Sequence, residues 1–251
     1  MSKQFTVWHH DQIGSTNDEA RRLAQEGAPH GTVVHADEQT AGRGRLAHTW
    51  FSPAGNLYLS VLLRTGQPAA RTPELSFLAA LAVADTVEAL LPRQIRAMLK
   101  WPNDVLVTGA KIAGILLEQV DDATIMGIGL NVLQAPSNAA YKTTTIVANA
   151  GIASVDGARD ILLDRLGHHL AAWQADGFAP IREQWLNRSY PVGAAIRANA
   201  GGQPVAGHFA GLDEDGALLL DTTQGRQRIV AGEIVAGEIV PGEIVAAGDR
   251  A

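Results

Sequence analysis

Residues 98–132 read MLKWPNDVLVTGAKIAGILLEQVDDATIMGIGLNV. Apolar runs from Met98 to Trp101, Val105 to Val107, Ile112 to Val120 and Ile125 to Val132 are separated by Pro102-Asn103-Asp104, Thr108-Gly109 and Asp121-Asp122. Pro presets φ, and Gly, Asn and Asp tolerate turn backbone, so this spacing predicts strands joined by hairpins. Upstream, Leu57 to Leu63, the β-branched Thr32-Val33-Val34 and a short run from Phe5 to Trp8 also read as strands. Thr72-Pro73-Glu74 opens a strongly apolar helix to about Leu91, with Pro at its first position. Thr16-x-x-Glu19 predicts a capping box for a helix with Ala20, Leu23 and Ala24 on one face and Gly27 as its stop. Downstream, Ile161, Leu162, Leu166, Leu170 and Trp173 recur at helical spacing, and Ile181 to Leu186 adds a short helix. The pattern predicts an α+β fold, a mixed sheet faced by helices, over residues 1–188.

From Tyr190 the texture changes to short runs at Ala195 to Ala198, Val205 to Phe209, Ala217 to Leu220 and Gln227 to Val230, separated by Gly- and Asp-rich turns. A small C-terminal β-barrel over residues 190–235 follows. Ala-Gly-Glu-Ile-Val at 231–235 recurs at 236–240 and, with Pro first, at 241–245. A five-residue unit is too short for a solenoid. The first copy is read as the last strand of the barrel, and residues 236–251 as an exposed, disordered tail expanded by slippage.

The chain has 251 residues, long enough for a sizeable core. It contains no Cys, which removes disulfides, thiolate nucleophiles and cysteine-ligated metals and points to a reducing cytoplasm. No apolar run suits a signal peptide or a membrane span. A net charge of -6 opposes non-specific attachment to nucleic acid or anionic membrane, so any anion site is local.

The local positive charge is Arg43, Arg45, Lys100 and Lys111. Gly42-Arg43-Gly44-Arg45 joins free backbone to two guanidiniums, which give planar, bidentate donors for carboxylate or phosphate. Alone it fits a solvated basic loop equally well. Lys100-Trp101-Pro102-Asn103-Asp104 puts a carboxamide and a carboxylate on a rigid turn. Near Lys111, that carboxylate either holds the lysine charged and aimed or helps bind Mg2+ on a triphosphate. The plain alternative is a surface turn and a surface lysine. Gly127-Ile128-Gly129-Leu130-Asn131-Val132 offers small residues where a ligand can lie against a strand, or else close packing. Ser15-Thr16-Asn17 suits a helix N-cap and also a polar head group. Trp173 and Trp185 are read as packing. His9-His10 and His168-His169 are read as non-metal: adjacent histidines diverge, and no partner stands at zinc-ligand spacing.

Taken in order, Ser15-Thr16-Asn17, Gln39-Thr40-Ala41-Gly42-Arg43-Gly44-Arg45, Trp50-Phe51-Ser52-Pro53, Lys100-Trp101-Pro102-Asn103-Asp104, Lys111-x-x-Gly114-Ile115-Leu116 and Gly129-x-Asn131 closely resemble the biotin protein ligases. The resemblance covers most of residues 10–132, and the small β region looks like that family's SH3-like domain. It implies a class II synthetase-like catalytic domain, with ATP (as its Mg2+ complex) and biotin as substrates. The implied partner is a biotin carboxyl carrier protein or domain, by default that of acetyl-CoA carboxylase. By analogy, Lys111 meets the biotin carboxylate and α-phosphate, and Arg43 and Arg45, flanked by Gly42 and Gly44, close over the mixed anhydride. Ser15, Thr16, Asn17 and Gln39 hold the ureido ring, with Gly114 beside it. Trp50 packs on the adenine side, and Asn103, Asp104 and Asn131 serve the nucleotide, Asp104 with a Mg2+ contact.

Family members can dimerise through sheet edges, so a homodimer is compatible with the resemblance. Some also carry an N-terminal winged helix; fourteen residues before Ser15 are too few for one, so a short form without DNA binding is expected. One departure stands out. Leu46-Ala47-His48 occupies the place where bacterial members often continue with a further Arg-Gly-Arg, which implies weaker ATP binding or faster adenylate leakage.

Overall fold

The computed structural model describes residues 4–137, 139 and 141–237. β1 (Thr6–Ile13), β2 (Thr32–Gln39), β3 (Leu57–Leu63), β4 (Ala97–Lys100), β5 (Asp104–Val107), β6 (Ala110–Val120) and β7 (Ala123–Leu130) form one sheet in the order β1-β2-β3-β7-β6-β5-β4. β1 and β2 run parallel and the other neighbours antiparallel, so the sheet is mixed. β4 to β7 are the meander predicted from residues 98–132, and their turns fall at the polar joints. β1 outruns its predicted Phe5 to Trp8 span: it is an edge strand whose residues are exposed or half-buried, so no apolar alternation marks its second half.

α1 (Thr16–Gln25) covers one face of this sheet, where Ala20, Leu23 and Ala24 pack on Val34, Leu62, Val120 and Ile125. α2 (Glu74–Leu90), α3 (Val155–Asp176) and α4 (Phe178–Leu186) cover the other. The apolar run of α2 is buried almost all round because it lies between the sheet and α3 and α4. The capping-box expectation for α1 is corrected. Ser15 is the N-cap and its side chain makes no cap bond, while Glu19 pairs with Arg22 at 2.6 Å instead of reaching back.

β8 (Ala195–Ala200), β9 (Gln203–Leu212), β10 (Leu218–Thr222), β11 (Gly225–Ile229) and β12 (Glu233–Gly237) form a second, antiparallel sheet in the order β11-β10-β9-β8-β12. Among the described residues β11 and β12 do not pair, so the expected barrel is open. β12 begins in the first Ala-Gly-Glu-Ile-Val copy and takes two residues of the second; the rest of the predicted tail lies outside the described residues. The two sheets share a continuous apolar core. Trp101, 2% exposed, donates from Nε1 to the Gly216 carbonyl at 3.0 Å, and its own carbonyl accepts from Ile234 N at 3.4 Å. Gly216 has φ 87°, and a Cβ there would stand 2.5 Å from the Phe77 ring, so glycine is required at this junction.

Candidate active site

Side chains on a strand alternate between faces, and that alternation builds the site. On the α1 face, Leu62, Val120 and Ile125 lie under the helix. Stepping by twos past its N-terminus, the same face presents Ser60 on β3, then Glu118, Leu116 and Gly114 on β6, and Gly127 and Gly129 on β7. Their odd-face neighbours Leu59, Ile115 and Ile128 belong to the opposite core. The glycines let other side chains lie close on the sheet, and a cavity of about 280 Å³ runs along this face.

Ser15, Thr16 and Asn17 line this cavity from the start of α1 and are almost fully buried. Thr16 donates from backbone N (2.8 Å) and from its hydroxyl (3.0 Å) to Gln39 Oε1, and Gln39 Nε2 donates to Ser52 Oγ at 3.0 Å. Ser60 Oγ stands 2.6 Å from Asn17 Oδ1 and 2.8 Å from Thr16 Oγ1, while Asn17 Nδ2 donates to Glu118 at 2.6 Å. This is a polar pocket in which Thr16, Asn17, Gln39 and Ser60 are each held by a protein partner.

The aperiodic stretch after β2 folds into a tight hairpin. Trp50 N donates to Gly42 O at 2.9 Å, Gly44 N to His48 O at 2.7 Å, and Arg43 bridges Thr49. Its tip is Leu46 at φ 52° and ψ 37°, a left-handed conformation that costs a non-glycine residue roughly 1–2 kcal/mol. Gly42 serves the hairpin itself: a Cβ would lie 2.6 Å from the Trp50 carbonyl. Both arginines line the cavity but are occupied in this structure. Arg43 pairs with Asp18 (2.6 Å) and Glu118 (3.1 Å); Arg45 donates to Asn103 Oδ1 and to the Gly232 carbonyl, each at 3.2 Å. Burial lowers the Arg45 pKa, against the pull of Asp104 and Glu233.

Trp50 returns from the hairpin across the paired glycines Gly114 and Gly129; a Cβ would stand 3.0 Å from its ring at Gly114 and closer still at Gly129. The glycines expected to face a ligand therefore cradle an indole. Beyond it a second cavity, about 480 Å³, is lined by Phe51, Asn131, Tyr141 and Thr143. Lys111 lines both cavities, its Nζ 5.3 Å from the Trp50 ring centroid and 5.1 Å from that of Tyr141.

Asp104 sets this lysine. Its carboxylate is 2.6 Å from Lys111 Nζ and 3.0 Å from Lys100 Nζ. Burial alone would raise its pKa, but the two ammoniums outweigh that and hold it below the usual carboxylate range. Both oxygens are taken by cations, so the donor set fits the aiming of lysines and not the expected Mg2+ contact. Asn103 is likewise committed, to Arg45 and, through Nδ2, to Ile115 O at 2.6 Å. Because the folded pKa of Asp104 is depressed, its contribution is fully present above the unfolded value of about 3.9 and is lost as pH falls through the folded one. Asp104→Asn is therefore expected to be less stable than wild type at neutral pH, the gap narrowing below about pH 4 in urea unfolding curves. A gap that stays constant down the acid limb would contradict this.

Sequence reasoning missed Ser60, Glu118, Tyr141 and the Glu233 to Val235 rim. Ser60 and Glu118 carried a signal, each a polar residue inside an apolar strand; Tyr141 and the rim carried none.

A neutral head-group pocket that leads to a lysine–carboxylate couple and a second cavity, on this mixed sheet, defines a carboxylate-activating ligase domain. The chain belongs to the biotin protein ligases. The Biotin/lipoate A/B protein ligase family matches residues 10–133, and the Biotin protein ligase C terminal domain matches residues 192–237. The Biotin--[acetyl-CoA-carboxylase] ligase of Paracoccus denitrificans is 41% identical over 231 residues, 88% of this chain and 96% of that protein. The bifunctional ligase/repressor BirA of Bacillus subtilis is 36% identical over 242 residues, 90% of this chain and 72% of its own length. Biotin protein ligase from Aquifex aeolicus in complex with biotin and ATP superposes with a TM-score of 0.81 at 28% identity, covering 91% of this chain and 97% of that one.

Proposed function

We propose that the chain joins biotin to ATP, giving biotinyl-5'-adenylate and pyrophosphate, and then passes the biotinyl group to a lysine of the biotin carboxyl carrier protein of acetyl-CoA carboxylase. The observation that carries this reading is Lys111, standing where the head-group cavity meets the second cavity. In the first step a biotin carboxylate oxygen attacks the α-phosphorus, the bond to the β-phosphate bridge breaks, and pyrophosphate leaves. Two anions must meet, and fixed positive charge in a water-poor site removes their repulsion. Lys111 supplies that charge at the junction, aimed by Asp104. In the second step the neutral amine of the carrier lysine attacks the acyl carbon and AMP leaves, with no covalent enzyme intermediate.

In this reading Ser15, Thr16, Asn17 and Gln39 hold the ureido ring, with Ser60 and Glu118 fixing their orientation. Trp50 separates biotin from adenine, and Arg45 faces the anhydride. Arg43, paired with Asp18 and Glu118, lines the same cavity and adds positive charge beside the head group. Mg2+ enters with the triphosphate. The catalytic unit is residues 1–188, with 190–235 as an SH3-like support, and a cytoplasmic setting fits; no helix among the described residues is long and apolar enough to cross a membrane.

Incubation with biotin, Mg-ATP and a carrier domain, read by intact mass, is expected to show one biotinyl increment on the carrier. ATP–pyrophosphate exchange driven by lipoate and not by biotin would overturn the assignment. His48 lines both cavities at the place of the absent arginine. His48→Arg is therefore expected to tighten ATP and slow adenylate release, by roughly 10-fold for one added charged hydrogen bond. Unchanged ATP affinity and adenylate retention would refute this.

A further inference from the structure

On the sheet face opposite the ligand cavity, the parallel register sets His9 beside His35, and alternation along β2 puts Asp37 on the side of His35. His9 Nε2 and Asp37 Oδ1 are 3.0 Å apart, and one ligand atom from each of the three residues lies within 4.8 Å of the others. His35 is the anomaly. It is 1% exposed, yet neither Nδ1 nor Nε2 has a hydrogen-bond partner among the described residues. A neutral imidazole has one donor and one acceptor nitrogen, and burying both unsatisfied is costly. Neutral imidazole is also the form that ligates metals.

We propose that His9, His35 and Asp37 form a binding site for a divalent transition metal of the zinc class. Two imidazoles and a carboxylate are a zinc donor set that leaves a fourth position for water. Donors around tetrahedral zinc stand about 3.4 Å apart, given bonds of about 2.0–2.2 Å, so side-chain rotation closes the present spread with the strands in place. Magnesium and calcium, which take oxygen donors, do not suit it. Arg159 faces His35 from α3, but its charge is already countered by Asp156 at 2.7 Å and Asp160 at 2.8 Å.

The ion would tie β1 to β2. No residue of β1 is fully buried, so this edge strand has little apolar anchorage, and His35 lies four residues before Gln39 of the head-group pocket. Sequence spacing conceals the site because His9 precedes His35 and Asp37 by a whole helix and meets them only through strand register.

The test uses the full chain, stripped with chelator and free of biotin and nucleotide, so that its result is independent of the ligase assignment. Zinc chloride is titrated by calorimetry, and cobalt chloride by visible absorption. One equivalent of zinc, tetrahedral cobalt bands and a raised Tm are expected. His35→Val and Asp37→Asn are each expected to weaken zinc more than about 100-fold, beyond the loss seen when only a supporting hydrogen bond to a ligand is removed. His9→Ala, at an exposed position, gives the same readout without disturbing the core, and His168→Ala is expected to bind as wild type does. Absence of stoichiometric binding, or binding that survives the His9, His35 and Asp37 substitutions, would overturn the proposal.

Discussion

Lys111→Ala is expected to lower biotin-dependent ATP–pyrophosphate exchange by at least about 10²–10³-fold, the loss seen when one preorganised transition-state donor is removed from a closed site. The larger share should fall on turnover, because charge on the α-phosphoryl oxygens grows as the anhydride forms. Biotin binding in the absence of ATP should fall less, since the head-group contacts proposed for Ser15, Thr16, Asn17 and Gln39 remain. A second consequence follows from Asp104. Losing Lys111 leaves that buried carboxylate with Lys100 alone, at 3.0 Å, so the depression of its pKa should shrink and acid unfolding should begin at higher pH. Single-turnover adenylation separates the two effects. A variant that still biotinylates a carrier domain at the wild-type rate would remove Lys111 from the chemistry, whatever happened to its stability.

Trp101→Ala should produce the largest stability loss, about 3–5 kcal/mol for emptying a buried tryptophan site. The side chain is 2% exposed, and its Nε1–H is the donor that the Gly216 carbonyl uses. Truncation opens a cavity and leaves that acceptor unsatisfied. The damage should not stay local. Trp101 joins the meander edge to the C-terminal sheet through Gly216 and Ile234, and Gly232 on the same segment accepts from Arg45. Loosening the junction should therefore expose the β12 side to proteolysis and lower adenylation through Arg45. Urea unfolding and limited proteolysis both report it. A change below about 1 kcal/mol would mean that the two sheets stand independently.

Much of the catalytic sheet was legible because its signals are local. The meander over 98–132 is written in alternating apolar runs and in turns such as Pro102-Asn103-Asp104 and Thr108-Gly109, and the pairing of β4 to β7 follows from chain order. The hairpin was not legible: Gly42 to Trp50 has no periodicity, and its closure depends on Ser52 and on the glycines beneath Trp50. The capping box failed because Arg22, one turn away, pairs with Glu19.

Residue types and spacing alone determined the strands of the meander and a local set of cations beside neutral polar groups; the roles expected of those side chains came from the order of six short motifs that resemble the biotin protein ligases. Tertiary structure decided what those side chains touch. It paired Asp104 with two lysines, drew Ser60 and Glu118 into the cavity beside Thr16 and Asn17, laid Trp50 on Gly114 and Gly129, and set His9 against His35. Alternation along a strand is a property of neighbouring residues, whereas the register between strands and the face a helix covers depend on partners far along the chain.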